Sequence, residues 1–484
     1  MLRVHRGRAF LATLSISALA AAGSIGLSSG TLAGAADAPD QDPPEGPETV
    51  QTPPPPPAVT SQTVRDVTDE ASYRDAILDL SADPSGPHTI NVLADITLTG
   101  NTDPEYTGDQ DLTVNGNGHT IDGGGTVKIL DSDGPANLTI NDLTVVNGTD
   151  TNDSDGGGIE GEATVTVNRS TFRDNHADQD EGGAVDADNI RVTDTTFEGN
   201  TSSDQGGALK SEEDGPGTGT IDVDPSVFTG NHAGSDGGAI DSDEALTITN
   251  STFSENASDG DGGAVDTSDE AAAVTVTGST FAGNTATEDG SAMEAEGVVN
   301  VTNSTITANQ TTATDGTTDG GAINSEVGDV TLTYVTMAGN IANAGVAEDV
   351  RAFDNSIEPA GPGTLTSFGT VIAGAQCDLN GGTTSSSYSY ETGSSCGFTG
   401  AGDTQNGADP LLGALGDDGG PTPTMLPQSG SPLIDAIPVA ACDPTVTVDQ
   451  RGVTRPQQNG CDIGAVEVEA PPPAPITVTP TFTG

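Results

Sequence analysis

One hexapeptide with a single apolar centre returns along the chain: Ser170-Thr171-Phe172-Arg173-Asp174-Asn175, Thr195-Thr196-Phe197-Glu198-Gly199-Asn200, Ser226-Val227-Phe228-Thr229-Gly230-Asn231, Ser251-Thr252-Phe253-Ser254-Glu255-Asn256 and Ser279-Thr280-Phe281-Ala282-Gly283-Asn284. Degenerate copies follow around Ile306 and Met337, and the apolar centre advances in steps of 25, 31, 25, 28, 25 and 31. Six or seven residues after most of these Asn residues stands a second motif: Gly182-Gly183-Ala184-Val185, Gly206-Gly207-Ala208-Leu209, Gly237-Gly238-Ala239-Ile240 and Gly262-Gly263-Ala264-Val265, with Gly320-Gly321-Ala322-Ile323 a late copy. Between the two lie alternating runs such as Thr164-Val165-Thr166-Val167 and Leu246-Thr247-Ile248-Thr249. Alternation with β-branched residues marks a half-buried strand. Each unit therefore holds three short strands and three turns, too few residues for a βαβ crossover.

Such a unit cannot bury its apolar face alone, but a stack of identical units can. The pattern predicts an all-β protein built as a parallel β-helix. Phe172, Phe197, Phe228, Phe253 and Phe281 form one internal ladder. Asn175, Asn200, Asn231, Asn256 and Asn284 sit at the following turn, where a side-chain amide can bond backbone groups and the next Asn. The paired glycines supply a tight corner, and the small Ala leaves room inside the coil. Insertions of 3 and 6 residues beyond the 25-residue step fall in loops. Runs at Leu112–Asn115 and Leu138–Asn141 read as earlier coils. With residues 88–375 all in coils, about eleven of them at about 4.8 Å make a rod about 50 Å long.

A solenoid needs its ends covered. Residues 63–87 read as the N-terminal cap, with a short helix from Glu70 to Leu80, an apolar stripe of Ala71, Ala76, Ile77 and Leu80, and Thr68 as N-cap. Ahead of it, residues 1–35 read as a signal peptide: Arg3, Arg6 and Arg8, then a mostly apolar run, then Ala33-Gly34-Ala35. An uncleaved anchor is the alternative. Residues 36–62 form a Pro-rich linker, and residues 470–484 a Pro-rich disordered tail. No other apolar run is long enough to span a bilayer.

Composition then limits the partners. The 484 residues carry 73 Asp+Glu against 13 Lys+Arg, a formal net charge of -60. Nucleic acid is excluded as a partner, because no basic patch exists to replace its counterions. Low apolar content with this charge would ordinarily read as disorder; the fixed period of the apolar positions overrules it.

The F-x-x-N and GGA motifs resemble the repeats of polymorphic outer membrane proteins, which implies the right-handed β-helix of pectate lyases. Ala71-Ser72-Tyr73-Arg74-Asp75-Ala76-Ile77 resembles the CSLREA segment of surface proteins, with Ala71 where that family has Cys. Residues 376–469 resemble the choice-of-anchor Q domain of bacterial exported proteins, through Asp409-Pro410-Leu411-Leu412-Gly413, Asp418-Gly419-Gly420-Pro421, Gly430-Ser431-Pro432-Leu433-Ile434-Asp435, Asp449-Gln450-Arg451-Gly452 and Cys461-Asp462-Ile463-Gly464-Ala465. All 4 Cys lie in this last region. An even count in an exported chain points to disulfides. Of the three connectivities, Cys377–Cys396 with Cys442–Cys461 is favoured, each closing a loop worth about 3 kcal/mol in the chain-entropy model. A zinc site is the alternative, without a C-x-x-C to support it.

The fold hosts polysaccharide lyases and hydrolases, and fold does not decide function. A lyase needs a basic residue, and the only lysines are Lys128 and Lys210. Arg169, Arg173 and Arg191 lie in repeats whose equivalents are not basic; a surface ion pair explains Arg173 and Arg191. His119 follows Asn-Gly-Asn-Gly, and His176 and His232 share one repeat position. No catalytic set emerges. The acidic loops at the GGA corners are the binding candidate: Asp153, Asp155, Asp178, Asp180, Asp241, Asp243, Asp259 and Asp261 as oxygen ligands for calcium. A solvated acidic face, or adaptation to salt, is the competing account. The reading is a non-enzymatic exported surface or extracellular protein, adhesin-like, with a cell-envelope or host glycan or protein as partner. The alternative is a lyase or glycoside hydrolase of acidic polysaccharide.

Overall fold

The computed structural model describes residues 62–150, 155–178, 181–212, 219–268, 272–312, 321–326, 328–342, 350–354, 361–374 and 376–470. They form a right-handed parallel β-helix with one α-helix at its start. The signal peptide, most of the linker and the tail read from the sequence lie outside these residues.

Thirteen strands follow one another, in parallel register, from Thr63–Val67 and His88–Val92 to Thr364–Phe368 and Thr383–Ser387. Each points one apolar set inward, for example Val165, Ile190, Ile221, Leu246, Val274, Val299, Val330 and Leu365, none more than 1 % exposed. The column thus begins within the region read as an N-terminal cap and ends beyond residue 375. Each central coil holds four strand segments where the sequence pattern predicts three. The extra one has two residues, as in His176–Ala177, Thr201–Ser202 and His232–Ala233, and pairs into a seven-stranded sheet of its own. It joins the ladder Asn to the glycine corner, too short for any alternation to reveal it.

The ladder Phe rings stack with centroids 5.1, 4.7, 4.6 and 4.7 Å apart from Phe172 to Phe281. Ile306 and Met337 continue the column. The ladder Asn residues are fully buried, inside the coil and not at its rim. The residue before each Asn makes the turn with positive φ: Gly199, Gly230, Gly283 and Gly339, but also Asp174, Glu255 and Ala308. Ala308 is exposed and has φ 56. A Cβ there costs about 1–2 kcal/mol, while glycine loses about 0.5–1 kcal/mol more entropy on folding. Ala308→Gly is therefore expected to stabilise by about 0.5 kcal/mol, visible as a higher midpoint in urea; an unchanged or lower midpoint contradicts this account of the turn.

The helix spans Glu70–Ser81. Its N-cap is Asp69, not Thr68: the Asp69 side chain accepts from the Ser72 backbone N–H, and the Ser72 hydroxyl accepts from the Asp69 N–H. The buried stripe is Tyr73, Ala76, Ile77 and Leu80. Ala71 is exposed, because it falls off the i, i+3, i+4, i+7 row that Tyr73 begins. The Tyr73 hydroxyl donates to the Ile129 carbonyl at 3.0 Å, tying the helix to the coils.

Cys377 bonds Cys396, and Cys442 bonds Cys461. The C-terminal region closes the last coils and also runs back along their flank. Thr422 Oγ1 donates to the Gly278 carbonyl at 2.9 Å, Thr280 Oγ1 to the Pro423 carbonyl at 2.6 Å, and Asn303 Nδ2 to the Val448 carbonyl at 2.8 Å. Gln450 is buried between them; its Oε1 accepts from Thr305 Oγ1 at 2.7 Å, and its Nε2 donates to Thr280 and Thr422. Arg455 lies over the Tyr334 ring at 4.2 Å and pairs with Glu467 at 3.0 Å, both charges being almost fully buried.

Candidate functional site

The chemistry of the coils collects at the glycine corners. In the motif G-G-A-apolar, the first glycine has positive φ: Gly182, Gly206, Gly237 and Gly262 lie between 61 and 65 degrees. The next residue but three, after the buried apolar side chain, is Asp186, Lys210, Asp241 or Asp266, and Glu294 in the degraded copy. Strand alternation would turn these side chains to solvent. The structure buries them instead, with Asp241 at 0 % and Asp186 at 5 % exposure. The corner is the reason: it folds over the strand so closely that a Cβ on Gly182, Gly237 or Gly262 would stand 2.9 Å from the Cβ of Asp186, Asp241 or Asp266. Only glycine permits this approach.

Parallel register stacks these groups into a column. Glu160 pairs with Asp186, Asp186 with Lys210, Lys210 with Asp241, and Asp241 with Asp266. Bridges of Met293 to Val265 and Ile323 set Glu294 next in line, and a bridge of Leu130 to Ile159 sets Asp131 beside Glu160. Neighbours in such a column are about 4.8 Å apart. Burial, then repulsion from the other carboxylates, pushes Asp186, Asp266 and Glu294 well above the usual carboxylate range. The same causes raise Asp131 to about 7.

Both lysines of the chain pair with this column, Lys210 from within it and Lys128 from three residues ahead of Asp131. Lys128 Nζ pairs with Glu160, and Lys210 Nζ with Asp241 at 2.8 Å and with Asp243. Burial opposes the Lys210 charge, but Asp241, Asp243 and Glu181 outweigh it and hold the ammonium charged. Asp241, raised by burial and lowered by Lys210, settles at about 6. Glu181, raised first by burial, reaches about 9.

The loop carboxylates read as calcium ligands do not form one set. Asp153 and Asp180 lie outside the described residues. Asp178 pairs with His176 at 2.5 Å, and Asp259 with His232 at 3.3 Å, on the outer face. Asp241 and Asp243 hold Lys210, and Asp261 Oδ1 accepts from the Asp289 N–H at 2.7 Å. Among the described ones only Asp155 joins a cluster of potential ligands: one oxygen each of Asp155, Asp186 and Glu212 lie within 4.8 Å of one another. Asp186 and Glu212 escape the sequence reading, although an acidic residue after G-G-A-apolar recurs at Asp186, Asp241 and Asp266. Arg169 forms a two-pronged pair with Asp142, Arg173 lies 3.6 Å from Asp174 and Arg191 3.7 Å from Asp222, all exposed. His119 meets Asp95 at 3.2 Å.

The column makes stability depend on pH. A carboxyl whose folded pKa is raised binds more protons folded than unfolded, so its contribution is complete below about pH 4 and is lost as pH rises through the folded value. Asp266, whose Oδ1 is buried without a hydrogen-bond partner, tests this. Asp266→Asn is expected to raise the melting temperature more at pH 8 than at pH 4, the lower end of the window in which the raised carboxyl costs stability. Equal shifts at the two pH values would contradict the buried-column account.

No described helix is long and apolar enough to cross a membrane. No curated protein and no solved structure matches the chain significantly. Two family models do match parts of it. One, for the Chlamydia polymorphic membrane protein repeat, matches residues 225–243 and 250–268, each containing one ladder Phe, its Asn and one glycine corner. The other matches residues 64–211, from the first strand to the residue before Glu212, and that stretch of the chain is similar to a putative pectate lyase-like adhesive domain.

Proposed function

We propose that this chain is an exported, surface-displayed protein that works by adhesion and not by turnover. The observation that carries the reading is the fate of its cations. Lys128 and Lys210 are buried in ion pairs with the acidic column, and Arg169, Arg173 and Arg191 on the coils each face a carboxylate. A β-elimination base needs an accessible, unneutralised basic group, and none of these five offers one. The match to a domain described as adhesive supports the same reading, as does the likeness to polymorphic membrane protein repeats. Residues 1–35 act as the export signal, 36–62 as a Pro-rich linker, and 376–469 serve as a choice-of-anchor Q-like region. The partner is an envelope or host glycan or protein.

Two measurements test this. Fractionation of the producing cells is expected to find the mature chain in the envelope or medium; retention in the cytoplasm overturns export. The purified chain, incubated with acidic polysaccharides, is expected to bind some without generating unsaturated product absorbing in the ultraviolet or new reducing ends. Turnover would establish the alternative, a lyase or hydrolase.

A further inference from the structure

We propose that Asp155, Asp186 and Glu212 form a calcium site that staples three successive coils together. The three residues come from consecutive turns of the solenoid. Asp155 precedes the corner that leads into Ile159–Asn168, Asp186 lies in Val185–Glu198, and Glu212 follows Leu209–Ser211. These strands are paired in parallel register, Ile159 to Val185 to Leu209. An ion held by all three therefore bridges along the axis, the direction in which the strand ladder and the stacked Phe and Asn columns also join the coils.

The geometry fits calcium. Three oxygens no more than 4.8 Å apart have a common centre no more than about 2.8 Å from each, against the 2.3–2.6 Å of calcium–oxygen bonds. A contraction of a few tenths of an ångström completes the contact. Magnesium, at about 2.0–2.1 Å with strict octahedral geometry, asks for a larger one. An independent observation points the same way. Asp186 is 5 % exposed, and its Oδ2 is buried with no hydrogen-bond partner. A buried carboxylate oxygen without a partner is destabilising, and a divalent cation beside it removes that cost. Oδ2 would stand 3.0 Å from a Cβ built on Gly182, so the corner glycine keeps that side of the carboxylate open. Lys210 does not compensate the cluster, being drawn instead to Asp241, Asp243 and Glu181. The site is independent of the adhesive reading: an enzyme or an adhesin could equally be stapled this way.

The test is calorimetric titration of calcium chloride into the chelator-treated full chain in 0.3 M sodium chloride, which screens diffuse attraction to the acidic surface. Melting temperatures are read in parallel. One saturable site and a calcium-dependent rise in melting temperature are expected. Asp186→Asn and Glu212→Gln should each weaken binding by at least about tenfold, since one of three ligand charges is lost. Asp266→Asn, elsewhere in the same column, should bind as the parent does. Glu212 is half-buried, so its variant reports on binding even where Asp186→Asn perturbs the fold. Absence of a saturable calcium heat in the parent, or equal weakening in all three variants, overturns the site.

Discussion

Phe228→Asp is expected to lower stability by at least about 4 kcal/mol. The ring is fully buried, with centroids 4.7 Å from Phe197 and 4.6 Å from Phe253, and nearly parallel to both. Removing a core Phe costs about 3–5 kcal/mol through lost burial and the cavity left behind. The new carboxylate would enter a column of apolar side chains with no donor to meet it, which adds to that cost. Coils in a solenoid depend on their neighbours, so the two adjoining coils should open with it. Thr229→Asp, one residue along, is the control. Thr229 is half-buried and shares a hydrogen bond of 2.9 Å with Ser254 across the outer face. Its register partner Glu198 makes a carboxylate there mildly unfavourable, by less than about 1 kcal/mol. Thermal melts followed by circular dichroism should therefore separate the two variants by roughly 5 °C. Coincident melts would mean that Phe228 does not point inward.

The Phe ladder and the alternating strands are legible in the sequence because stacking forces one residue type to recur at one phase, so that Phe228 lands between Phe197 and Phe253 whatever the intervening loop contains. The same logic holds for the glycine corner. It stops short at Asp186, Asp241 and Asp266, because alternation assigns the residue after a buried one to solvent, and only the fold of the corner reverses that. Glu212 lies outside any repeated phrase. The helix cap falls one residue later than the sequence suggests because Thr68 and Asp69 can both serve, and the choice turns on the Ser72 hydroxyl reaching back. Least legible is the flank. Gln450 meets Thr280 across a separation of 170 residues, a contact made once and never repeated, so no periodicity announces it.

The second large effect lies in the two Asn ladders, which are alike in sequence and opposite in environment. Inside the coil, Asn256 Oδ1 accepts from the Asn231 backbone N–H at 3.0 Å and from Asn231 Nδ2 at 2.9 Å. Its own Nδ2 donates to Asn284 Oδ1 at 2.9 Å and to the Phe228 carbonyl at 3.1 Å. Every polar atom of the side chain is satisfied without water. Outside, Asn115 donates to Asn91 at 3.1 Å and accepts from Asn141 at 3.1 Å, but it is half-buried. Asn256→Leu keeps the branched skeleton, with somewhat larger volume, and removes all four bonds. It strands the Asn231 N–H, the Asn231 amide and the Phe228 carbonyl, at about 1–3 kcal/mol for each buried group left unmade. A loss on the order of 4 kcal/mol is expected, together with faster amide hydrogen exchange at Asn231. Asn115→Leu leaves partners that water can reach, and it should cost less than about 1 kcal/mol. The comparison isolates burial, since both substitutions delete an Asn from a continuous ladder. Should the two variants melt together, the internal amides would be shown to contribute no more than surface ones, and the coil's resistance to slipping would have to rest on its apolar columns alone.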